Sequence, residues 1–482
     1  MLARKALGIN QLVYHNHITR HFTISFCRFQ INRSLSTAST TQMDQQSNHE
    51  SALLCWGIGN EGQLGLHHVS QQIVPTPVLG MQEKQIKMIT GGVFHSAALV
   101  DVKGQGQVHV WGSNYFGQAG YFPELQSALF SSDDEEVIWE PRWLQESLQN
   151  ENVVSLSCGD FHTIVLTETG KVLTWGAGLL GHDNEYFESR PHVIKRFEGV
   201  DGLHIKSVNA RMGLSFATAS SSSQESATKV FIWGHYDSQI TNTVESDSTQ
   251  SVIRVKSTIP VEIDLQDCLD SVSLVEASHH LVVVQGTKNG RTTYLIYGSH
   301  PTARVVDLEP TDTPYYAMLE NVPLKNDKFA PLKLLQIIQD PLTLDNQLRQ
   351  MFIMNNQIVV LRESGLVHAI PMFTALDDMK MTLATFTEPI TAMTASPLSA
   401  IALGKSGKVY QANGVFPRKP KPKSIWSRLI DVRSPAEKLE EEQILSPILL
   451  VDALMSNSPS LVGCYPHARL IGMGWKHYFI AT

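Results

Sequence analysis

Cysteine is scarce and scattered, with Cys27, Cys55, Cys158, Cys268 and Cys464 spread over 482 residues and no C-x-x-C spacing among them. That excludes a zinc ribbon and a disulfide framework, and the five read as small buried apolar side chains of a reducing compartment. Long apolar runs are missing too. The best, Ile444 to Met455, is broken by Asp452 and falls short of the roughly eighteen residues that a membrane-spanning helix needs. No G-x-S-x-G elbow, H-E-x-x-H pair or P-loop occurs, so no nucleophile, metal-bound water or phosphate cradle is visible. What remains is an ordinary core-forming composition, 42% hydrophobic and 17% charged, which argues against disorder throughout.

Acidic residues are absent from the first 43 positions, while Arg4, Lys5, Arg20, Arg28 and Arg33 alternate there with Leu7, Leu12, Val13, Phe22, Ile24 and Phe26. This arginine-bearing, acid-free, Ser/Thr-ending stretch has the composition of a mitochondrial presequence, expected over residues 1–45. Removing those five cations from a formal charge of −8 leaves a body near −13. Such a body repels phosphate backbones, so DNA is not an expected partner and RNA would need a local basic patch.

Internal repeats organise the rest. The sequence L-C-W-G-I-G-N-E-G-Q-L-G-L surrounds Trp56, H-V-W-G-S-N-Y-F-G-Q-A-G surrounds Trp111 and L-T-W-G-A-G-L-L-G surrounds Trp175, with fainter copies at Trp233-Gly234 and Tyr297-Gly298. A second piece is an apolar strand, a small residue, a histidine and another apolar strand. It is clearest at His95 and His162, and the same frame places Leu214, His280, Gln357, Ser399 and His477 in the remaining copies. Ile370-Pro371 and Ala412-Asn413 then replace the aromatic-glycine pair in two degenerate units. Within each unit β-branched and aromatic runs are bounded by Gly, Asn and Asp, as at Glu168-Thr169-Gly170-Lys171, which reads as a hairpin turn.

This pattern resembles the chromosome-condensation-regulator repeat family, strongly up to Gly181 and weakly beyond. The resemblance implies an all-β, seven-bladed β-propeller over residues 50–482. The W-G half at Trp56 and the histidine half at His477 would together make one blade, so that first and last strands pair and close the ring. Rim insertions are expected near 121–147, 218–229, 299–333 and 415–455.

Two segments satisfy G-x-G-x-x-G, Gly57 to Gly62 and Gly176 to Gly181. Neither opens a helix, so they read as tight blade loops near the central channel and not as dinucleotide sites. The recurring histidines read as buried structural groups, because three units replace them. No catalytic residue, metal ligand or cofactor is expected. The candidate partner-binding residues are two charged insertions. Asp133, Asp134, Glu135 and Glu136 precede the aromatics Trp139 and Trp143 and suit a docking loop. Arg418, Lys419, Lys421 and Lys423 with Trp426 form a basic patch suited to a membrane face or ribosomal RNA, followed by a short helix opened by the capping box Ser434 to Glu437.

The family resemblance implies a protein-binding scaffold rather than an enzyme, in the mitochondrial matrix or on the inner membrane. Assembly of respiratory chain complex III, through contact with its subunits, is the leading expectation. Nucleotide exchange on a mitochondrial GTPase and assembly of the mitochondrial ribosome are the alternatives. A fluorescent protein carrying residues 1–45 is expected to enter mitochondria, and changing Arg4, Lys5, Arg20 and Arg28 to Glu should leave it in the cytosol, as read by microscopy and fractionation.

Overall fold

The computed structural model describes residues 52–121, 136–241, 250–299, 304–305, 332–413 and 460–482, apart from 68, 70, 146, 149–150, 184–186, 222–225, 227, 279, 341–346, 355–356, 374–381, 385 and 397–398. In chain order the strands are β1 (Leu53–Ile58) and β2 (Gln71–Pro77), then β3 (Gln85–Gly91), β4 (His95–Val102), β5 (Gln105–Ser113) and β6 (Val137–Trp143). Next come β7 (Val153–Cys158), β8 (His162–Thr167), β9 (Val172–Ala177) and β10 (Phe187–Val193), followed by β11 (Leu203–Arg211), β12 (Leu214–Ser221), β13 (Lys229–Thr241) and β14 (Gln250–Glu262). The second half holds β15 (Ser271–Ala277), β16 (Leu281–Lys288), β17 (Arg291–Gly298), β18 (Arg304–Val305), β19 (Leu334–Gln339), β20 (Leu348–Met354), β21 (Gln357–Arg362), β22 (Val367–Pro371) and β23 (Thr382–Leu383). The chain ends with β24 (Ile390–Ala395), β25 (Ser399–Gly404), β26 (Lys408–Asn413), β27 (Ser460–Cys464), β28 (Leu470–Met473) and β29 (His477–Ala481).

They form seven sheets. Blades 1 and 2 are β3 to β6 and β7 to β10. Blade 3 is β11 to β14 with β18 added in parallel, blade 4 is β15, β16, β17 and β19, and blades 5 and 6 are β20 to β23 and β24 to β27. Blade 7 has the order β2-β1-β29-β28, so the last strand pairs antiparallel with the first, from Leu53 opposite Ala481 to Gly57 opposite His477. The ring closes as expected, and the fold is the seven-bladed propeller.

Local sequence explains the blades. Second strands such as His95–Val100, His162–Thr167 and Ser399–Gly404 are buried on both faces, because each blade is sandwiched between two others. They are therefore continuous apolar runs rather than alternating ones. The W-G glycine has a specific cause. Gly57, Gly112, Gly176, Gly234 and Gly298 lie opposite the first residue of the second strand with φ between +101° and +120°. A β-carbon there would stand 2.1–2.4 Å from the carbonyl oxygen just before that strand.

The same register corrects one assignment. Gly298 pairs with Leu281 as Gly112 pairs with His95, so Leu281 occupies the histidine position of blade 4, and His280 is exposed in the turn before it. Pro371 and Asn413 stand opposite Gln357 and Ser399, where the repeat frame places them.

Blades are joined by a side-chain ladder near one end of the ring. The ring Nε2 of His477 in blade 7 meets Ser96 Oγ of blade 1 at 2.9 Å, His95 meets Thr163 of blade 2 at 3.1 Å, and His162 meets Ser215 of blade 3 at 2.8 Å. Each hydroxyl belongs to the residue after the histidine position in the next blade. Ser96 and Thr163 donate their own protons to the Gln63 and Gln118 carbonyls, both at 2.9 Å. His477 and His95 must therefore be the donors, neutral and protonated on Nε2. Where the histidine is lost the pairing changes chemistry. Leu214 shares a core with Val282, and Leu281 with Ile358, while at the junction of blades 6 and 7 the short Ser399 receives the Tyr478 hydroxyl at 2.9 Å.

The junction of blades 4 and 5 also holds a buried ion pair. Arg362 donates to both Asp340 oxygens at 2.7 and 2.8 Å, and the Tyr294 hydroxyl donates to Asp340 at 2.7 Å. Removing one member of such a pair costs about 3–5 kcal/mol, because the other is left charged in the core.

Three further expectations change. Residues 218–221 are not a loop tip, since β12 runs to Ser221 with Thr218 and Ser220 buried. Val137 to Trp143, read as part of an insertion, is the outer strand of blade 1, with Val137 and Ile138 buried. Cys55 and Cys158 are buried, whereas Cys268 is half-buried and Cys464 exposed.

Ring closure makes the first strand indispensable. Deleting Ala52 to Leu66 is expected to abolish the cooperative unfolding transition seen by circular dichroism, since blade 7 loses its third strand. The ladder sets an acid limit. Burial lowers the pKa of His95 and His477 to about 3 and of His162 to about 4. The native state refuses protons that the unfolded chain binds below about 6.5, so this contribution is full above that pH and lost as pH falls towards 4. At pH 5 the loss is about 2 kcal/mol per histidine. Replacing His162 with Leu and Ser215 with Val, which copies the apolar pairing of blades 3 and 4, should flatten the pH dependence by about 1.2 kcal/mol between pH 6 and 5 in urea melts.

Candidate functional site

Two regions carry unusual chemistry, the mouth of the central channel and the outer rim. At the mouth, the ends of the inner strands converge on a cavity of about 20 Å³ lined by Gly92, Gly159, Asp160, Arg211, Ser396 and Trp475, among others, room for about one water. Backbone bonds staple the turns together, from Trp475 N to the Gly92 carbonyl, Val93 N to that of Asp160 and Asp160 N to that of Met212. Arg211 of blade 3 spans the axis. It pairs with Glu276 of blade 4 at 3.2 Å and donates to the Ala395 carbonyl of blade 6. Burial pushes the Glu276 carboxyl up despite that partner.

Asp160 is 3% exposed. Its Oδ1 accepts the Trp475 indole N–H at 3.0 Å, and its Oδ2 has no hydrogen-bond partner among the described residues. Burial raises its pKa to about 7, against the opposing hydrogen bond from Trp475 and the charge of Arg211. Between its unfolded value near 4 and that figure the native state keeps a proton the unfolded chain releases, so Asp160 lowers stability as pH rises, opposite in sign to the histidines. The mouth is thus bridged, and it offers no room for a small-molecule substrate. Among the described residues no group of three or more His, Cys, Asp or Glu is placed to hold a metal, and no helix is long and apolar enough to cross a membrane.

The rim shows a repeat that the sequence reading missed. In blades 7, 1, 2 and 3 the outer strand bulges opposite the tryptophan, where three residues face one. These are Ile73-Val74-Pro75 across from Trp56, Trp139-Glu140-Pro141 across from Trp111, Ser189-Arg190-Pro191 across from Trp175 and Thr258-Ile259-Pro260 across from Trp233. Proline suits the bulge because it has no N–H to give the ladder. The second residue of each triplet, Val74, Glu140, Arg190 and Ile259, is exposed.

The glycine-rich loops, expected near the channel, lie out by the third strands and pack on the next blade. A β-carbon on Gly65 would come within 3.2 Å of Trp111, on Gly120 within 2.6 Å of Trp175 and on Gly181 within 3.1 Å of Trp233. The loops also seat on the bulges. His67 N donates to the Trp139 carbonyl at 3.2 Å, Asp183 N to the Thr258 carbonyl at 3.3 Å, and a β-carbon on Gly117 would stand 2.6 Å from the Ser189 Cα. The fixed offset between a proline and the bulge would have revealed these triplets. The proline's distance from its tryptophan differs in every blade.

Of the sequence candidates, Arg418, Lys419, Lys421, Lys423, Trp426, Asp133, Asp134 and Glu135 lie outside the described residues, as does the helix expected after Ser434. Glu136 is half-buried at the start of β6, where its carbonyl accepts the Asn114 N–H at 2.7 Å. It is a strand-entry residue of blade 1. Trp143 is exposed on the outer strand and Trp139 is half-buried under the loop of blade 7.

The regulator of chromosome condensation (RCC1) repeat matches residues 50–99 and 105–166, and a second form of that repeat matches 153–181. The ultraviolet-B receptor UVR8 of Arabidopsis thaliana is 29% identical over 170 residues, 33% of this chain and 34% of the receptor. The human "Probable E3 ubiquitin-protein ligase HERC6" is 26% identical over 200 residues, 32% of this chain and 19% of HERC6. The matches thus span about a third or less of the length of these relatives. Among solved structures, Prp20p of Saccharomyces cerevisiae superposes with a TM-score of 0.55 at 13% identity, covering 90% of this chain and 92% of Prp20p. With RCC1 repeats matched over residues 50–181 and seven sheets closed by its two ends, the chain is an RCC1-repeat-bearing seven-bladed β-propeller that shares its fold with Prp20p.

Proposed function

We propose that this propeller is a protein-binding scaffold acting in mitochondria, with assembly of a respiratory complex, complex III first, as its leading role. The observation that carries the scaffold reading is the rim. One backbone bulge recurs in four blades and displays Val74, Glu140, Arg190 and Ile259 outward, while the interior histidines, Arg211 and Arg362 are engaged inside the ring. A rigid frame with chemically varied outward positions suits recognition of a protein surface. The acid-free N-terminus supports the compartment, and the client rests on the family resemblance.

Nucleotide exchange on a GTPase is the second reading. Prp20p, which shares the fold, has been described with its binding properties to Gsp1p and histones. Exchange here would need a surface that displaces nucleotide phosphates, for which Asp133 to Glu136 is the acidic candidate. Contact with ribosomal RNA through the basic stretch is a third.

Charge substitution separates these readings. Replacing Arg418, Lys419, Lys421 and Lys423 with Ala should release the protein from mitochondrial membranes, weakening association by about three decades at low salt. Replacing Asp133, Asp134, Glu135 and Glu136 with Ala should leave respiration intact. Purified propeller is expected not to speed release of labelled GDP from mitochondrial GTPases. Acceleration that disappears with the acidic substitutions would overturn the scaffold reading, and release from ribosomes but not membranes would favour RNA.

A further inference from the structure

The outer strand of a blade turns one row of backbone N–H and C=O groups away from its neighbours, and such an edge takes up a further strand unless something blunts it. This ring shows both outcomes. Blade 3 has a fifth strand, β18, running parallel to β14 with Arg304 opposite Ser251 and Val305 opposite Val252. Other edges are blunted. Proline interrupts β2 at Pro75 and Pro77, β6 at Pro141 and β10 at Pro191. Strand β23 is two residues long, and a register shift splits β27 into two short pairs.

Among the described residues, blade 4 is the exception. Its outer strand β19, L-L-Q-I-I-Q from Leu334 to Gln339, holds no proline and no charge. Its one irregularity, at Leu335, leaves Gln336 to Gln339 in unbroken register with β17. The ladder fixes which backbone groups face out. Asp340 N donates to the Thr292 carbonyl at 2.9 Å, so by the two-residue alternation of an antiparallel pair Ile338 and Gln336 direct their N–H and C=O groups to β17. Ile337 and Gln339 turn theirs to the open edge. The Ile338 side chain is buried in the core shared by blades 4 and 5, whereas Ile337 is 47% exposed.

Charge at the two ends narrows what can lie along this edge. Lys333 is exposed immediately before β19, and Arg291 is exposed beside its far end, where the guanidinium reaches the Gln339 side chain at 3.5 Å. Asp340, the acid that follows the strand, is buried with Arg362 and Tyr294. A second copy of the chain, paired antiparallel through the same strand, would set cation against cation at both ends, which is unfavourable.

We propose that the open edge of β19 is a strand-addition site for a client protein, which lays an extended segment of about six uncharged, alternately apolar residues along Leu334–Gln339, with a carboxylate at each end against Lys333 and Arg291. The outward backbone groups of Ile337 and Gln339 hold the segment, and the Ile337 side chain packs on its alternate residues. This deepens the scaffold reading by naming the kind of segment recognised. Its test reads peptide binding to the purified chain, while that reading is tested by membrane association, so the two can fail separately.

The probe is a fluorescein-labelled peptide, D-T-V-T-V-T-V-D, titrated with the full chain at low salt and followed by anisotropy. The same peptide with Lys at both ends should bind about tenfold more weakly. Ile337→Pro removes an outward N–H and no ladder bond, so it should weaken binding about tenfold while leaving the melting temperature in place. Should that variant fold poorly, Lys333→Glu with Arg291→Glu, at exposed positions, carries the same test, and it should reverse the preference between the two peptides. Methylating alternate peptide amides separates strand addition from apolar adhesion, because one alternate set should abolish binding and the other should leave it. Absence of binding to the native chain, binding unchanged by Ile337→Pro and by the charge reversal, or equal sensitivity to both methylated sets would each overturn the proposal. So would a native dimer that Ile337→Pro makes monomeric, which would assign the edge to a second copy of the chain.

Discussion

Everything in this ring depends on how one blade meets the next at the start of its second strand. A four-stranded blade is too thin to have a core of its own, so its two faces become interior only when neighbours cover them. At the ladder position each junction must fill one gap and join the two blades across it. His477 with Ser96, His95 with Thr163 and His162 with Ser215 do it with a long ring and a short hydroxyl. Ser399 with Tyr478 does it with the sizes reversed, and Leu214 with Val282 does it without polar atoms. The constant is the position, the first two residues of each second strand facing each other across the junction. Residue type is free to vary within it.

That freedom explains what could be read from the sequence and what could not. The W-G glycine was legible because its cause is local, a positive φ and a carbonyl at contact distance, which no other residue tolerates as well. The same holds for the hairpin at Gly170, where φ is +84°. The histidine of blade 4 was misplaced because Ser278-His279-His280-Leu281 offers several frames, and only the pairing of Leu281 with Gly298 distinguishes them. Leu281 is a faithful member of the ladder in volume and an invisible one in chemistry. Residues 218–221 read as loop because serine runs favour turns. Inside the blade, Thr218 pairs with the Ser207 hydroxyl at 2.6 Å, and tertiary contact overrides the local preference. The charged run before Val137 hid an outer strand in the same way.

The two halves of the ring use different means to the same end. Blades 7, 1, 2 and 3 share the histidine ladder, the stapled turns and the loop-on-bulge latch, so their repeat is easy to recognise. Blades 4 and 5 are joined by Arg362, Asp340 and Tyr294, a buried charge pair that suits one geometry only. Such a pair adds little net stability compared with apolar packing but penalises any misregistered arrangement heavily. Arg211 extends the principle across the axis, tying blade 3 to blades 4 and 6.

Function then has to lie where the ring's own requirements stop. The axial cavity lined by Asp160, Arg211 and Trp475 is water-sized and supplies no substrate site. The bulged rim is different. Its backbone is set by a tryptophan, a proline and the neighbouring loop, and its outward residue answers to none of them. Val74, Glu140, Arg190 and Ile259 therefore occupy one geometry with apolar, acidic, basic and apolar chemistry in turn. A partner that follows the rim reads a sequence of side chains at blade spacing. Changing one of them alters recognition without disturbing the junctions beneath, which is the physical sense in which a closed propeller is a scaffold.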